Sequence, residues 1–180
     1  AARDGTIKWW RRGEASPLLS LQAHSLTVSA IAAADGVSTN ASLFSGSRDT
    51  QVKLWDASTG QCVSSACIAR NLVTSATWVP GGSPLVWQAS EDLHLRLWDT
   101  RAMRTPAADL TGYTYFPLAI AASEHRCGTR SNGVESAGCE LRLYDVRTHE
   151  QEALLEGRQH AGTGAALMGA GGREQAVAPA

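Results

Sequence analysis

The sequence predicts an all-β fold built from a repeated unit, and two observations support this class. An aromatic residue recurs at positions 10, 55, 98 and 144, at intervals of 45, 43 and 46 residues. The residues ahead of each aromatic alternate between apolar and polar, which is the period of a β-strand because successive side chains point to opposite faces. Each repeat is therefore expected to close with a strand that carries its aromatic residue.

The strand that ends at each aromatic has the same lettering in all four copies. The residue two positions before the aromatic is always basic, whereas the residues one and three positions before it are apolar. The basic residues are Lys8, Lys53, Arg96 and Arg142, and the apolar pairs are Ile7 and Trp9, Val52 and Leu54, Leu95 and Leu97, and Leu141 and Leu143. An anion-binding stripe is one interpretation of the basic residues. We favour another, in which their stems pack on neighbouring strands and their charged heads reach water.

A turn residue precedes each of these strands. Asp4, Asp49 and Asp92 lie six residues before their aromatics, and Gly138 takes this position in the fourth copy. Because Asp4 is followed by glycine, and Asp-Gly favours tight hairpin turns, each repeat is expected to contain a β-hairpin.

Further strands fill each repeat. They are expected at residues 17–21, 28–32, 42–47, 72–79, 85–90, 116–121 and 126–129. Residues 131–138 lengthen the last hairpin. The predicted units are a partial one at 1–22 and full ones at about 23–63, 64–108 and 109–156. The Gly- and Ala-rich tail at 157–180 either begins a further unit or is disordered.

Four short strands per repeat of this length describe the blades of a β-propeller. The sequence resembles the WD-repeat family at Ala23-His24, Trp55-Asp56, Trp98-Asp99 and Tyr144-Asp145. The predicted fold is therefore a partial WD-repeat β-propeller of about three and a half blades. Closed propellers usually have at least about 4 blades, and an open array would expose strand edges that invite pairing. We therefore expect the remaining blades to come from further sequence of the same protein.

The resemblance implies a buried chain of hydrogen bonds that runs from the Trp of a repeat, through a Ser or Thr and a His, to the turn Asp. In the second repeat this chain would join Trp55 to Asp49 through His24 and one serine, and the sequence leaves Ser45 and Ser47 open. Asp4 with Trp10, and Asp92 with Trp98, are the matching pairs of the first and third repeats.

The third and fourth repeats depart from this pattern. Counting back four residues from Val73, as His24 precedes Val28, leads to Ala69, so the third repeat is expected to lack its His. The fourth repeat offers Tyr113 in this place. Both repeats are therefore expected to rely more on apolar packing.

Catalytic and metal sites are weighed against this structural interpretation. Ser47, His24 and Asp49 are the residue types of a hydrolytic triad, but the repeat explains all three and no Gly-x-Ser-x-Gly turn is present. His125, Cys127 and Cys139 match no standard zinc spacing. We therefore expect no enzyme activity, no cofactor and no metal.

Composition narrows the class of partner. The formal charge is -1 over 180 residues and 43% of the residues are apolar, which argues against nucleic acid as the main partner. No apolar run approaches the roughly 20 residues of a membrane span. A soluble, cytoplasmic protein is expected.

Protein partners are expected at the tips of the hairpins, where loops are exposed. Our predicted binding residues are those before each turn Asp and those in the loops ahead of the next strand: Arg3, Arg48, Glu91, Arg70, Asn71 and Tyr113.

Two functions are open. A closer resemblance to ciliary WD-repeat proteins, at Arg70-Asn71, Trp78-Val79-Pro80 and Ser131-Asn132-Gly133, implies a scaffold or adaptor in a ciliary, axonemal or ciliary-transport assembly. The alternative is a substrate receptor of a cullin ubiquitin ligase, because Trp98-Asp99-Thr100-Arg101 fits the adaptor-docking pattern of such receptors. Asp99 and Arg101 would then contact the ligase adaptor.

Overall fold

The computed structural model describes residues 1–34, 42–132 and 139–157, and these residues form strands and turns without a helix. A two-stranded sheet contains β1 (Thr6–Trp9) and β2 (Leu19–Gln22). Three four-stranded sheets follow: β3 (Val28–Ala33), β4 (Ser42–Ser47), β5 (Gln51–Asp56) and β6 (Cys62–Cys67); β7 (Val73–Trp78), β8 (Leu85–Ser90), β9 (Leu95–Asp99) and β10 (Ala108–Leu110); β11 (Pro117–Ala122), β12 (Arg126–Asn132), β13 (Cys139–Asp145) and β14 (Gln151–Gly157). We number these sheets one to four in chain order. The described part of the chain contains no helix that could cross a membrane.

Every sheet is an antiparallel meander in chain order, so each four-stranded sheet is one blade. The inner strands β3, β7 and β11 lie next to one another in consecutive sheets, which stack face to face. The predicted all-β fold of a partial propeller, with one half-blade and three full blades, is confirmed.

The sequence alternation decides which sheet each strand residue contacts. In sheet two, Trp55 faces sheet one and packs with Ile7. Val52 and Leu54 face the other way and join the core that contains Trp98. Leu95 and Leu97 repeat this arrangement and pack with Tyr144 of sheet four. Burial of each such aliphatic side chain contributes about 2 kcal/mol to folding.

Sheet four leaves the matching face open. Leu141 occupies the position of Leu95, yet it is 45% exposed where Leu95 is 0% exposed. The inner strand shows the same contrast. In sheets two and three, the second residue of the inner strand donates to the next sheet: the Ser29 hydroxyl to the Val73 carbonyl, and the Thr74 hydroxyl to the Pro117 carbonyl. Leu118 is the second residue of β11, and its side chain is exposed.

Two glycines are required by close approach. Gly5 follows the turn Asp4 with φ of 83°, and a Cβ there would lie 2.1 Å from the His24 carbonyl oxygen. Gly46 lies within β4, where a Cβ would lie 2.5 Å from Cγ1 of Val73 in sheet three. The contact between sheets two and three therefore depends on the missing side chain of Gly46.

Two strand ends differ from the predicted ones by more than one residue. The second strand begins at Leu19 rather than at residue 17, because Pro17 has no N–H to donate to a neighbouring strand. The strand expected at residues 126–129 continues to Asn132, since it pairs with β13 along its whole length. The rest of the predicted long connection, with Gly138, lies outside the described residues, and so does the tail beyond Gly157.

Candidate functional site: the hairpin-tip face

A continuous chain of hydrogen bonds crosses sheet two and ends at its hairpin tip. Nε1 of Trp55 donates to Oγ of Ser45 at 2.8 Å, and the same Oγ lies 2.8 Å from Nε2 of His24. Nδ1 of His24 lies 3.0 and 3.1 Å from the two carboxylate oxygens of Asp49. The serine left open by the sequence is therefore Ser45.

The donors fix the tautomer of His24. Because Ser45 accepts the indole proton, its own hydroxyl is free to donate to Nε2, and Nδ1–H then donates to Asp49. Burial lowers the pKa of His24 below its ordinary value, against the opposite effect of the Asp49 charge. A neutral imidazole with its proton on Nδ1 satisfies every partner.

Asp49 holds two loops together. Burial works to raise the pKa of Asp49, but the N–H groups of Gln51 and Ser25, with the nearby His24, lower it below its ordinary value. The N–H of Gln51 belongs to the hairpin, and the N–H of Ser25 belongs to the loop that precedes the inner strand β3. This carboxylate therefore fixes the hairpin tip against the inner-strand loop.

His24, Ser47 and Asp49 do not form the arrangement of a hydrolytic triad. Ser47 donates to the Thr27 carbonyl at 2.8 Å and accepts from the N–H of Asp49, so it does not contact His24. Ser45, which does contact His24, is 0% exposed and also accepts from Trp55. A substrate has no access to this hydroxyl.

Sheet three contains a polar chain of a different composition. Nε1 of Trp98 donates to Oε1 of Gln88 at 3.1 Å, and Nε2 of Gln88 donates to Oδ1 of Asn71 at 2.8 Å. Arg96 donates to the same Asn71 oxygen and to both oxygens of Asp92. Trp98 and Asp92 are thus joined through an amide pair and a guanidinium instead of through a His.

The third repeat has no His in this chain, as the sequence predicts, but the expectation that it relies more on apolar packing is wrong, because a polar chain joins Trp98 to Asp92. The count back from Val73 assumed an inner-strand loop of constant length, but Asn71 precedes Val73 by two residues where His24 precedes Val28 by four. Gln88 was a usable signal, because it faces Arg96 in the strand register as Ser45 faces Lys53.

Sheet four uses Tyr113 in the place of the His. Its hydroxyl lies 2.7 Å from Oγ1 of Thr129, and burial raises its pKa well above the ordinary value. The guanidinium of Arg142 lies 4.5 Å from the centre of the Tyr113 ring and donates to the Gly112 carbonyl. The turn position of this repeat, Gly138, lies outside the described residues.

The first repeat does not form the chain. Oδ1 of Asp4 accepts from the N–H and the hydroxyl of Thr6, which closes the turn locally. Trp10 is 52% exposed because its side of sheet one faces no further described sheet. The expected pairing of Asp4 with Trp10 through a polar chain is therefore not present.

The basic residues ahead of the aromatics differ from our interpretation. Only Lys8 is exposed. The charged heads of Arg96 and Arg142 are buried, with Asp92 and Glu140 as their partners, and Nζ of Lys53 donates to the Ala23 carbonyl at 2.6 Å. These cations stabilise the inner-strand loops, and the proposed water-exposed heads are wrong for sheets three and four.

The six predicted binding residues divide into two groups. Arg3, Arg48 and Arg70 are exposed at the tips and in the loops, and Glu91 is partly exposed. Asn71 is 0% exposed and Tyr113 is 4% exposed, because both occupy the His position of their polar chains. For these two residues the predicted contact with a partner is wrong.

Arg101 and Asp99, the candidate ligase-docking residues, lie at the opposite end of β9. Nε and Nη2 of Arg101 donate to the two oxygens of Asp99 at 2.9 and 2.7 Å, and the Arg101 side chain is 73% exposed. The ion pair presents a fixed guanidinium to solvent.

Metal coordination finds no support in the described residues, which bring no three His, Cys, Asp or Glu side chains together. Cys127 is buried, and burial raises the pKa of its thiol to about 12. The Cys139 side chain lies outside the described residues.

One segment of the chain matches a known family model. Residues 15–56 match the family model described as WD domain, G-beta repeat. A ribosome biogenesis protein WDR12 homolog of Nematostella vectensis is 38% identical over 77 residues, which cover 41% of this chain and 18% of that protein.

Two solved structures share the fold. The structure of U3-55K matches with a TM-score of 0.76 over 88% of this chain and 48% of that one. The RRP9 WD40 repeats match with a TM-score of 0.74 over 89% of this chain and 47% of that one. The sequence identity is 20% for both structures. This chain therefore spans less than half the length of each of these three proteins.

Proposed function

We propose that this chain, which carries a WD repeat at residues 15–56 and has the WD-repeat propeller fold, is part of a non-catalytic scaffold that binds other proteins. One observation carries the proposal. The buried polar chains of sheets two and three fix their hairpin tips and inner-strand loops, while the side chains of Arg48 and Arg70 remain exposed. Rigid loops with exposed side chains lose little conformational freedom when a partner binds.

The assembly we favour is one that acts in ribosome formation. The relative that is 38% identical over 77 residues is named as a ribosome biogenesis protein, and this supports such a role over the ciliary or axonemal one expected from the sequence resemblance. A cytoplasmic or ciliary location stays a prediction. We expect the remaining blades to come from the same full-length protein.

Affinity purification of the full-length protein from its native source, followed by mass spectrometry, tests this function. We expect ribosome-assembly proteins in stoichiometric amounts. Recovery of axonemal or ciliary-transport proteins would instead support the ciliary role, and recovery of the protein without any partner would contradict the scaffold function.

A second candidate function rests on Arg101, whose exposed guanidinium is held by Asp99. In a ligase receptor, Arg101→Ala would abolish binding of the ligase adaptor without changing the fold, since the side chain is outside the core. Arg104→Ala, an exposed arginine nearby, is the control. Unchanged adaptor binding by the Arg101 variant in a pulldown removes this candidate.

A further inference from the structure

A groove on the hairpin-tip face lies between sheets three and four. Its volume is about 610 Å³. One wall comes from the loop ahead of β7, with Arg70, and from the β8–β9 hairpin, with Leu93 and His94; the edge of sheet four contributes Phe116. Two members of the polar chain of sheet three, Asp92 and Arg96, also line this groove.

The acidic side chains of the groove already have partners. Glu91 pairs with Arg48 at 2.5 Å, and Asp92 pairs with Arg96 at 2.6 Å. In contrast, the Arg70 side chain makes neither a hydrogen bond nor an ion pair with any residue that the structure describes. The charged group of the groove without a partner is therefore the Arg70 guanidinium, whose planar set of N–H donors suits a carboxylate.

Arg70 is presented by a fixed turn. Its φ is 66°, in the left-handed region, and the N–H of Leu72 donates to its carbonyl at 2.8 Å. The next residue, Asn71, is anchored in the core through Gln88 and Arg96. Gly or Asn would adopt this φ with less strain, so a long charged side chain here indicates a role for the side chain itself.

Phe116 gives the groove an apolar contact. Its side chain is 47% exposed, although the following residue, Pro117, is buried and its carbonyl accepts from Thr74 of sheet three. Leu93 on the opposite wall also has a positive φ, 68°. An exposed phenyl held on fixed backbone is the kind of residue that carries binding energy at interfaces.

We propose that this groove binds a short linear peptide of a partner protein, in which an Asp or Glu lies close to a large apolar side chain. Arg70 binds the carboxylate, and Phe116 and Leu93 contact the apolar side chain. The inference rests on the proposed scaffold function and names the class of partner segment that its hairpin-tip face recognises.

Selection of a phage-displayed library of random dodecapeptides on the full-length protein tests the proposal. The selected peptides are then measured by fluorescence anisotropy. We expect enrichment of peptides that combine an acidic with a large apolar residue. Their affinity should fall about tenfold or more with Arg70→Ala and with Phe116→Ala, because each variant removes one of the two contacts.

Controls on both molecules keep the result independent of folding. Arg104→Ala and Val63→Ala remove an exposed arginine and an exposed aliphatic side chain elsewhere on the chain, and binding should stay within about twofold of wild type. On the peptide, Asp→Asn or Glu→Gln should reproduce the loss seen with Arg70→Ala.

Three results would overturn the proposal: no enrichment of acidic and apolar peptides, selected peptides that bind the Arg70 and Phe116 variants as wild type, or Arg70-dependent binding of a poly(U) oligonucleotide in place of peptides. If the same partners purify with the wild type and with the Arg70→Ala, Phe116→Ala double variant, the groove is not their binding site, whereas the scaffold function is still supported. A wild-type protein that recovers no partner would remove the scaffold function itself.

Discussion

Arg48 and Glu91, the tips of two consecutive hairpins, are joined across the gap between sheets two and three by two contacts of 2.5 and 3.2 Å. Each residue precedes the turn Asp of its own repeat, so the same sequence position supplies both partners. The pair links neighbouring blades at the surface, above the buried polar chains.

A double-mutant cycle with Arg48→Ala and Glu91→Ala measures this link. The Arg48 and Glu91 side chains are 46% and 25% exposed, so solvent screens the pair and we expect a coupling of about 0.2 to 1 kcal/mol in urea unfolding. High salt should reduce it. A coupling above about 2 kcal/mol would show that the tips are held by this ion pair rather than by the chains below it.

Substitution of Gly46 by Ala should weaken the contact between sheets two and three. The added Cβ would lie 2.5 Å from Val73, and overpacking of this kind costs about 1 to 3 kcal/mol in the free energy of unfolding. Gly128→Ala is the matched control, because this strand glycine has no atom closer than 3.9 Å to a Cβ. Equal stability of the two variants in urea unfolding would contradict the close approach.

Ser45→Ala should destabilise the second repeat more than an ordinary serine substitution. It leaves the Trp55 N–H and Nε2 of His24 without their shared partner, at a cost of about 1 to 3 kcal/mol for each buried group. Ser65→Ala, on the exposed face of β6, should be nearly neutral. Similar unfolding midpoints for both variants would mean that the polar chain contributes little.

Stability should fall in mild acid because of His24. Its folded pKa lies below its ordinary value of 6.5, so the unfolded chain binds the proton more readily and stability is lost as the pH drops below about 6.5. Asp49, whose pKa is below 3.8, adds a second loss at lower pH. Urea midpoints at pH 7.5 and 5.5 measure the first loss.

A substitution at His24 isolates this effect. His24→Asn removes the titrating ring, so the difference in midpoint between the two pH values should shrink. His125→Asn, at an exposed position, should keep it. The same pH dependence in the wild type and both variants would show that His24 is not the titrating group.

The open face of sheet four predicts association when these 180 residues are produced alone. Leu141 and Leu118 are 45% and 40% exposed on the side that sheets two and three cover with the next blade. Analytical ultracentrifugation should show self-association, and Leu141→Lys should reduce it. A stable monomer of the wild-type segment would contradict the expectation of further blades.

The sequence predicted the number of sheets, most of their strands and the polar chain of sheet two, because each depends on spacing that repeats along the chain. It did not locate the outer strands β6, β10 and β14. It did not place Asn71, since loop lengths differ between repeats and a fixed count missed the shorter loop. It also predicted solvent-exposed guanidinium groups for Arg96 and Arg142, which are buried. Periodicity shows which face of the sheet a side chain lies on, but not which groups of the neighbouring loops pack against that face. The residues ahead of Trp10 alternate as those ahead of Trp55 do, yet the exposure of Trp10 depends on which sheet lies beside it.

Hydroxyl-radical footprinting of the native assembly tests the central claim most directly, namely that the hairpin-tip face binds the partner. Phe116 and Leu26 are exposed on this face, whereas Leu18 and Val63 are exposed on outer strands or their connections. We expect Phe116 and Leu26 to be protected in the assembly relative to the isolated full-length protein, with Leu18 and Val63 unchanged. Protection of Leu18 and Val63, with Phe116 and Leu26 still reactive, would contradict the account.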